Sequence, residues 1–482
     1  MQGKFVSNLI LLIFLNLLVK PFYILGIDAE IQNRVGSEEY GFFFAMLNFS
    51  FLFNVLIDLG ITNYNNRSIS RNPEKLFDSY SGIVGLKLVL FILYILISSI
   101  IGMFLNFSDE HWKILFILFF NQLLVSLILY YRSNLGALQL FIRDSIISIL
   151  DRLLLIVFFS LILWGNVSDQ EVRIEWLIYG QTVAYFITLI AAWAVQPNKL
   201  RAKLPRFKIK FSKELIRKSI PYAVLIMLMM IYGRTDSVML ERMMHDKGYE
   251  SGVYAQGYRL LDAGNMFAML FAVLLLPMFS KMIKENEKVH QLVYSSTRLI
   301  LVFSIPLAIV VAFYPHEILN LRYEVVSDVS ADSFTYLMYS FTGICITYIY
   351  GTLLTANGSL KQLNIMALIG ILVNILLNLI LIPEYGAKGA AVATCVTQGL
   401  TALIQFGIAQ YLFRFSVLDK LLLPVVVYAV LVFVLTIIIN ESVDTQPVIP
   451  LIIYSISLLL AWFTGNIRVR PFLNYVKNRN GT

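Results

Sequence analysis

Charge is scarce in this chain: Asp, Glu, Lys and Arg make up 14% of its 482 residues, against about a quarter in a soluble domain. Too few charged side chains exist to cover a water-facing surface of this size. Hydrophobic residues make up 58%, and the mean hydropathy is +0.75. Lipid is the solvent these numbers call for. Cysteine is nearly absent as well. Cys345 and Cys395 both lie in apolar runs, which excludes a disulfide framework and a thiolate metal cluster. The four histidines (His111, His245, His290 and His316) fall in polar segments read as loops. No two of them have the HExxH spacing that places two ligands on one helix face. No alternating strand pattern is visible, and no Gly-rich loop follows one, so a nucleotide-binding fold is excluded. Glu38 and Glu39 are the kind of paired carboxylates that glycosyl chemistry uses, but they sit in a short polar segment that reads as a solvated face. No enzymatic activity, cofactor or metal is expected.

What the chain does have is long apolar runs. A membrane span needs about 20 predominantly apolar residues. Runs of that length fall near 5–26, 41–62, 79–104, 113–131, 145–165, 176–195, 219–240, 252–280, 294–314, 333–355, 363–383, 388–411, 421–440 and 447–466. The expected class is therefore all-α: a polytopic membrane protein of about fourteen transmembrane helices. The first run has the basic residue and apolar stretch of a secretory leader but no small-residue cleavage site after it, and it is read as a retained first span. Arg132 to Arg143 also reads as a short interfacial helix.

Charge tests this count independently. Cytoplasmic loops carry an excess of Lys and Arg. With the N-terminus inside and the spans alternating, twenty-five of the 38 Lys and Arg fall on the inner side, seven on the outer and six within spans. The 30 Asp and Glu run the other way, with nineteen outside, seven inside and four within spans. A missed span would invert every later loop and blur this contrast, so an even number is expected, with both ends cytoplasmic. The five tryptophans fall near span ends, as an aromatic belt requires. The net charge of +8 then needs no nucleic acid as partner. Its densest cluster, from Lys199 to Lys218, suits a cytoplasmic linker against anionic membrane lipids.

That linker organises the chain into an N-terminal six-helix lobe (1–198), the basic linker (199–218), a C-terminal six-helix lobe (219–415) and a further helix pair with a basic tail (416–482). Six being even, both lobes start inside and run in the same sense, as in transporters built from parallel repeats. The loop after the first span reads Gly36-Ser-Glu-Glu-Tyr-Gly41, and that after the seventh reads Gly248-Tyr-Glu-Ser-Gly-Val-Tyr254.

Ionisable residues within spans are costly, so they face a cavity or a partner. Lys20, Arg234 and Arg259 fall in the outer halves of their spans, and Lys87 and Arg298 in the inner halves. Together they outline an anion-attracting path, and these five are the candidate substrate-binding residues. Arg259 and Asp262, three apart, share a helix face and can pair. Asp151 and Arg152 read as structural or snorkelling groups. Asp58, Asp236 and Asp262 are candidates for carrying a coupling proton or sodium ion, although Asp58, in Asp58-Leu-Gly60, also reads as a helix-terminal residue. Asn374 and Asn378 share one helix face and suit sugar hydroxyls.

Several local patterns coincide at this point: Arg34-Val-Gly-Ser-Glu-Glu-Tyr-Gly41, Asp58-Leu-Gly60, Ser219-Ile-Pro-Tyr222 with Asp236, Gly252-Val-Tyr254, and Leu381-Ile-Pro-Glu-Tyr-Gly-Ala-Lys-Gly-Ala-Ala-Val-Ala-Thr394. In this order and spacing, over about residues 5–415, the chain resembles the O-antigen and capsule repeat-unit flippases of the multidrug/oligosaccharidyl-lipid/polysaccharide exporter superfamily. The resemblance implies two six-helix lobes around a central cavity that opens alternately to each side of a bacterial inner membrane. It implies a polyprenyl-pyrophosphate-linked oligosaccharide as substrate, and the polysaccharide polymerase and chain-length machinery as partners. Multidrug or cation extrusion on the same architecture and a membrane glycan-modifying enzyme are the alternatives. The excess of in-span cations over acids argues against the first, and the lack of a convincing catalytic set in the spans or outer loops against the second.

Overall fold

The computed structural model describes residues 14–71, 74–165, 171–201, 203–415, 422–442, 446–464 and 466. Lys4, Lys420 and the basic tail from Arg468 lie outside them. Among the described residues the chain is helical throughout, without strands. Eleven helices are long and apolar enough to cross a membrane, and Ile449–Phe463 is a shorter apolar one. Two of the eleven are too long for one crossing. Leu360–Phe413 has 54 residues, about 80 Å as a straight helix, against a hydrocarbon core of about 30 Å.

Both long runs fold back at a glycine. At Gly386 the backbone turns to φ 53° and ψ −131°. A Cβ on Gly389 would stand 2.4 Å from the carbonyl oxygen of Leu381, whereas eight residues of straight helix span about 12 Å. Within Phe14–Asp58 the break is Gly36, at φ 83° and ψ 169°, and the hydroxyl of Tyr40 donates to Asp28 Oδ2 at 2.6 Å across it. Only a residue without a Cβ adopts such angles at little cost. Counting each folded run twice and adding the short helix gives the fourteen spans read from the sequence.

The principal helices are labelled α1 (Ala29–Leu52, broken at Gly36), α2 (Lys75–Phe104), α3 (Asp109–Ala137), α4 (Phe141–Trp164), α5 (Ile174–Ala194), α6 (Ile209–Met244), α7 (Tyr249–Lys284), α8 (His290–Phe313), α9 (Asp328–Ala356), α10 (Leu360–Phe413), α11 (Leu423–Ser442) and α12 (Ile449–Phe463). Some boundaries differ from the hydropathy reading. The first span continues to the break at Gly36, because only there does the backbone leave the helix. Arg132 is not in an interfacial helix: α3 runs on to Ala137 and α4 starts at Phe141, leaving a three-residue turn. The four histidines are not all in loops either. His111 lies in the first turn of α3, His290 opens α8, and His316 sits in the helix Pro315–Asn320.

The chain divides into two compact units, Met1–Gly252 and Val253–Thr482. In the first, α2 shows the sidedness of a lipid-exposed helix. Leu88, Ile92, Leu96, Ile100 and Met103 form an exposed apolar stripe, while Lys87 is completely buried. The turn after the first span packs on the turn that opens α7. A Cβ on Gly41 would lie 2.0 Å from Gly248 O, and one on Gly252 would lie 2.0 Å from Ser37 O. Gln32 donates to Gly252 O at 2.8 Å. The two segments that resemble each other in sequence therefore touch, backbone against backbone.

In the second unit the final helix pair packs on α8. Val302, Tyr428, Val432 and Ala461 form one buried cluster, and Val310, Tyr314, Ile449 and Ile453 another. The hydroxyl of Tyr428 lies within hydrogen-bonding reach of Val302 O (3.2 Å) and Ser457 O (3.1 Å), tying three helices at one point.

Candidate functional site

A cavity of about 540 Å³ opens among the helices of the first unit, lined on its polar side by Asp58, Thr62, Asn63, Asn66, Ser126, Arg132, Ser133 and Asp144. Phe51, Val55, Leu129 and Met230 supply apolar wall. Polar groups within a membrane bundle survive only when paired or facing water, and two ion pairs meet this requirement here.

Asp58 ends the short helix Val55–Asp58, after which Leu59 and Gly60 turn left-handed at φ 44° and 74°. Its carboxylate accepts the backbone N–H of Thr62 (3.3 and 3.2 Å) and the Thr62 hydroxyl, and so caps the next helix. It also accepts from Lys87 Nζ at 2.5 Å. That ammonium donates to Ser126 Oγ at 2.8 Å and lies 6.0 Å from the Tyr130 ring centroid. Lys87 is therefore neutralised by a partner. The helix-terminal reading of Asp58 holds, with a salt bridge added that its local sequence did not announce.

The second pair is Arg132 with Asp144, at 2.7 Å across the turn between α3 and α4. Sequence reasoning missed it by assigning both residues to a segment outside the spans. A usable signal existed, in opposite charges on either side of a three-residue turn. Behind this pair, Lys20 stands within electrostatic reach of Arg132, Asp151, Arg152 and Asp144. Asn16 fixes the same helix to α4 through Ser148 at 2.9 Å. Lys20 precedes Gly36 by sixteen residues, about 24 Å of helix. It lies at the end of the bundle where α3 meets α4, not in the half nearer the Gly36 turn. Arg152 stands 3.7 Å from adjacent Asp151. Its guanidinium lies 4.7 Å from the Tyr23 ring and 5.9 Å from that of Tyr185, where aromatic faces offset the cost of its charge.

Arg234, on α6, reaches the cavity wall. It donates to Asn48 Oδ1 at 3.1 Å, and its guanidinium stands 5.4 Å from the ring of Phe51, which lines the cavity. Asp236, two residues on, is buried. Arg259, Asp262 and Arg298 belong to the second unit. Arg259 and Asp262 pair at 3.9 Å on one helix face, as their spacing implies. Asn378 donates to Asn374 Oδ1 at 3.3 Å, so the two amides bond to each other.

A third charged cluster lies at the opposite end of the first unit. His111 Nδ1 accepts the backbone N–H of Ser108 at 3.2 Å, and its Nε2 stands 2.9 Å from Glu241 Oε1 and 3.3 Å from Arg242 Nη1. Phe42 and Phe107 enclose the ring at 4.8 and 4.9 Å between centroids. Glu241 Oε2 is buried with no hydrogen-bond partner among the described residues. This contact fastens α3 to α6 over 130 positions of sequence, and no local pattern marks it.

Fold and site together define a class: a polytopic helical membrane protein with a polar, ion-paired cavity inside its first helical unit. Solved structures share this fold. The lipid II flippase MurJ, in an inward closed conformation, superposes with a TM-score of 0.69 at 17% identity, covering 98% of this chain and 99% of that one. The Vibrio cholerae MATE transporter VcmN superposes at 0.60 with 14% identity, covering 86% of this chain and 98% of that one. An uncharacterized membrane protein of Methanocaldococcus jannaschii is 28% identical over 196 residues, which span 39% of this chain and 43% of that relative. A second from the same organism is 22% identical over 443 residues, 86% of this chain and 85% of the relative. The model of the polysaccharide biosynthesis protein family matches residues 5–283, and the chain belongs to that family.

Proposed function

We propose that this protein is a flippase that carries a polyprenyl-pyrophosphate-linked oligosaccharide from the cytoplasmic to the outer leaflet of a bacterial inner membrane, for O-antigen or capsule synthesis. The observation that carries the reading is the cavity in the first unit, with its hydroxyls, amides and two ion pairs. Drug-sized apolar cations call for acids and aromatic walls, whereas this cavity has each carboxylate already matched by a cation. Sugar hydroxyls both donate and accept, and they suit Asn63, Asn66, Ser126 and Ser133. The lipid tail can stay in the bilayer throughout.

The pyrophosphate needs cations. Arg presents a fork of donors to phosphate oxygens, and Lys a point charge. Lys20 and Arg234 of the first unit take this role, with Arg132 added at the cavity wall, and Arg259 and Arg298 of the second unit are further candidates. Lys87 acts through Asp58, holding the wall in place. Asp58, Asp236 and Asp262 remain the coupling candidates. Membership of the polysaccharide biosynthesis family supports a lipid-linked glycan over a drug. The polymerase and chain-length machinery are the partners that would take the delivered repeat unit.

The test is reconstitution into liposomes with a defined undecaprenyl-pyrophosphate oligosaccharide, with outer-leaflet glycan read by a membrane-impermeant lectin or glycosidase. Arg132→Ala and Arg234→Ala each lower the initial rate at least tenfold at matched protein content. Equal rates in both variants, or uptake of a cationic dye in place of the glycan, would sink the proposal.

A further inference from the structure

The basic linker before α6 is built against the protein in a way that its composition alone does not require. Residues 203–208 form neither helix nor strand, and one face of α2 holds their backbone. Ser81 O accepts the N–H of Arg206 at 3.0 Å, Ser81 Oγ donates to Leu204 O, and Lys203 Nζ donates to Phe77 O. A Cβ on Gly85 would stand 2.6 Å from the carbonyl carbon and oxygen of Arg206. Phe77, Ser81 and Gly85 recur every four residues, which places them on one side of the helix. The apolar part of this helix starts at Ser79, so Gly85 lies about 9 Å along it. The strap therefore crosses the first turns of the apolar part of the helix.

Every residue from 203 to 210 is exposed. Leu204 is 76% accessible, Ile209 74% and Phe207 47%. The cations Lys203, Arg206, Lys208 and Lys210 interleave with these apolar groups. Fixed backbone, outward apolar side chains and alternating cations are what an interfacial segment needs to bury its apolar groups at the acyl boundary while the cations meet phosphates. A nucleic-acid surface would have no use for exposed Leu204 and Ile209 beside an apolar helix.

We infer that residues 203–210 form a pre-built docking strap for the anionic glycerophospholipids of the leaflet it lies in. The inference is independent of which substrate the cavity takes. Its experiment uses the full-length protein in nanodiscs of phosphatidylglycerol or of phosphatidylcholine. The four strap cations are trypsin sites, so cleavage there reports whether the strap is covered. Phosphatidylglycerol slows cleavage of the wild type about tenfold relative to phosphatidylcholine, and Lys208→Gln with Lys210→Gln removes most of that difference. Gly85→Ala lifts the strap and speeds cleavage in both lipids. In native mass spectra of detergent-purified protein, the double variant retains fewer phosphatidylglycerol molecules. Equal cleavage in the two lipids would overturn the inference. So would equal protection in phosphatidylcholine discs by inorganic phosphate or a short RNA.

Discussion

The two halves of this molecule solve the burial of polar groups differently. In the first unit, ionisable groups meet across helices: Lys87 of α2 with Asp58 from the second span, Arg132 of α3 with Asp144 of α4, and His111 of α3 with Glu241 of α6. In the second, Arg259 and Asp262 pair along one helix, Lys388 of α10 meets Asp332 of α9 at an exposed edge, and neutral groups and apolar clusters such as those around Tyr428 and Ile453 tie buried helix faces. A cross-helix ion pair fixes one helix against another in register and lines a polar space. The cavity sits where the cross-helix charges are.

This contrast breaks most sharply at Lys87. Lys87→Met leaves the Asp58 carboxylate half-buried without its cation and costs about 3–5 kcal/mol, whereas Lys87→Met with Asp58→Asn recovers much of the loss. Thermal unfolding of the purified protein in detergent reads both, and a double variant no more stable than the single one contradicts the account. Next comes Gly41→Ala, whose Cβ meets the backbone of Gly248 and Gly252. It costs about 1–3 kcal/mol, as overpacking does, while Gly407→Ala, with open space around it, changes the same melting curve little. Arg259→Ala follows at about 1 kcal/mol, because a pair three residues apart on one helix contributes a fraction of that and the rest is lost packing. A loss as large as that of Lys87→Met would erase the distinction between the two units. The smallest effect belongs to Tyr428→Phe, about 0.6 kcal/mol for a hydrogen bond between membrane helices, checked by the same curves.

The fold was legible because its signals are local. Hydropathy marks each span, and Gly36 and Gly386 mark the reversals that the structure shows within two apparently continuous helices. The stretch from Leu381 to Thr394 reads as a tight turn, and Gly389 against Leu381 O is that turn. Span ends were less legible. Arg132 looked like an end because a lone cation is costly in lipid, and the pairing with Asp144 that offsets this cost lies outside any local window.

The site was legible in part. Lys87 and Asp58 were both singled out, but as a ligand-binding cation and a coupling acid and not as each other's partner. Lys20 was placed in the wrong half of its span because the helix runs ten residues past the apolar window. His111 was dismissed with the other histidines, since an isolated histidine at a polar boundary carries no sign of a glutamate 130 positions away.

By itself the sequence determined the solvent of this protein, its helical class and the number of its spans. These follow from transfer of side chains to lipid and from backbone sterics, which add up residue by residue along the chain. The tertiary structure alone decided which charges neutralise each other, where a cavity remains, and that the linker lies fixed along one face of α2. Those depend on how helices are rotated and registered against each other, and a one-dimensional pattern of hydropathy and charge leaves that rotation open.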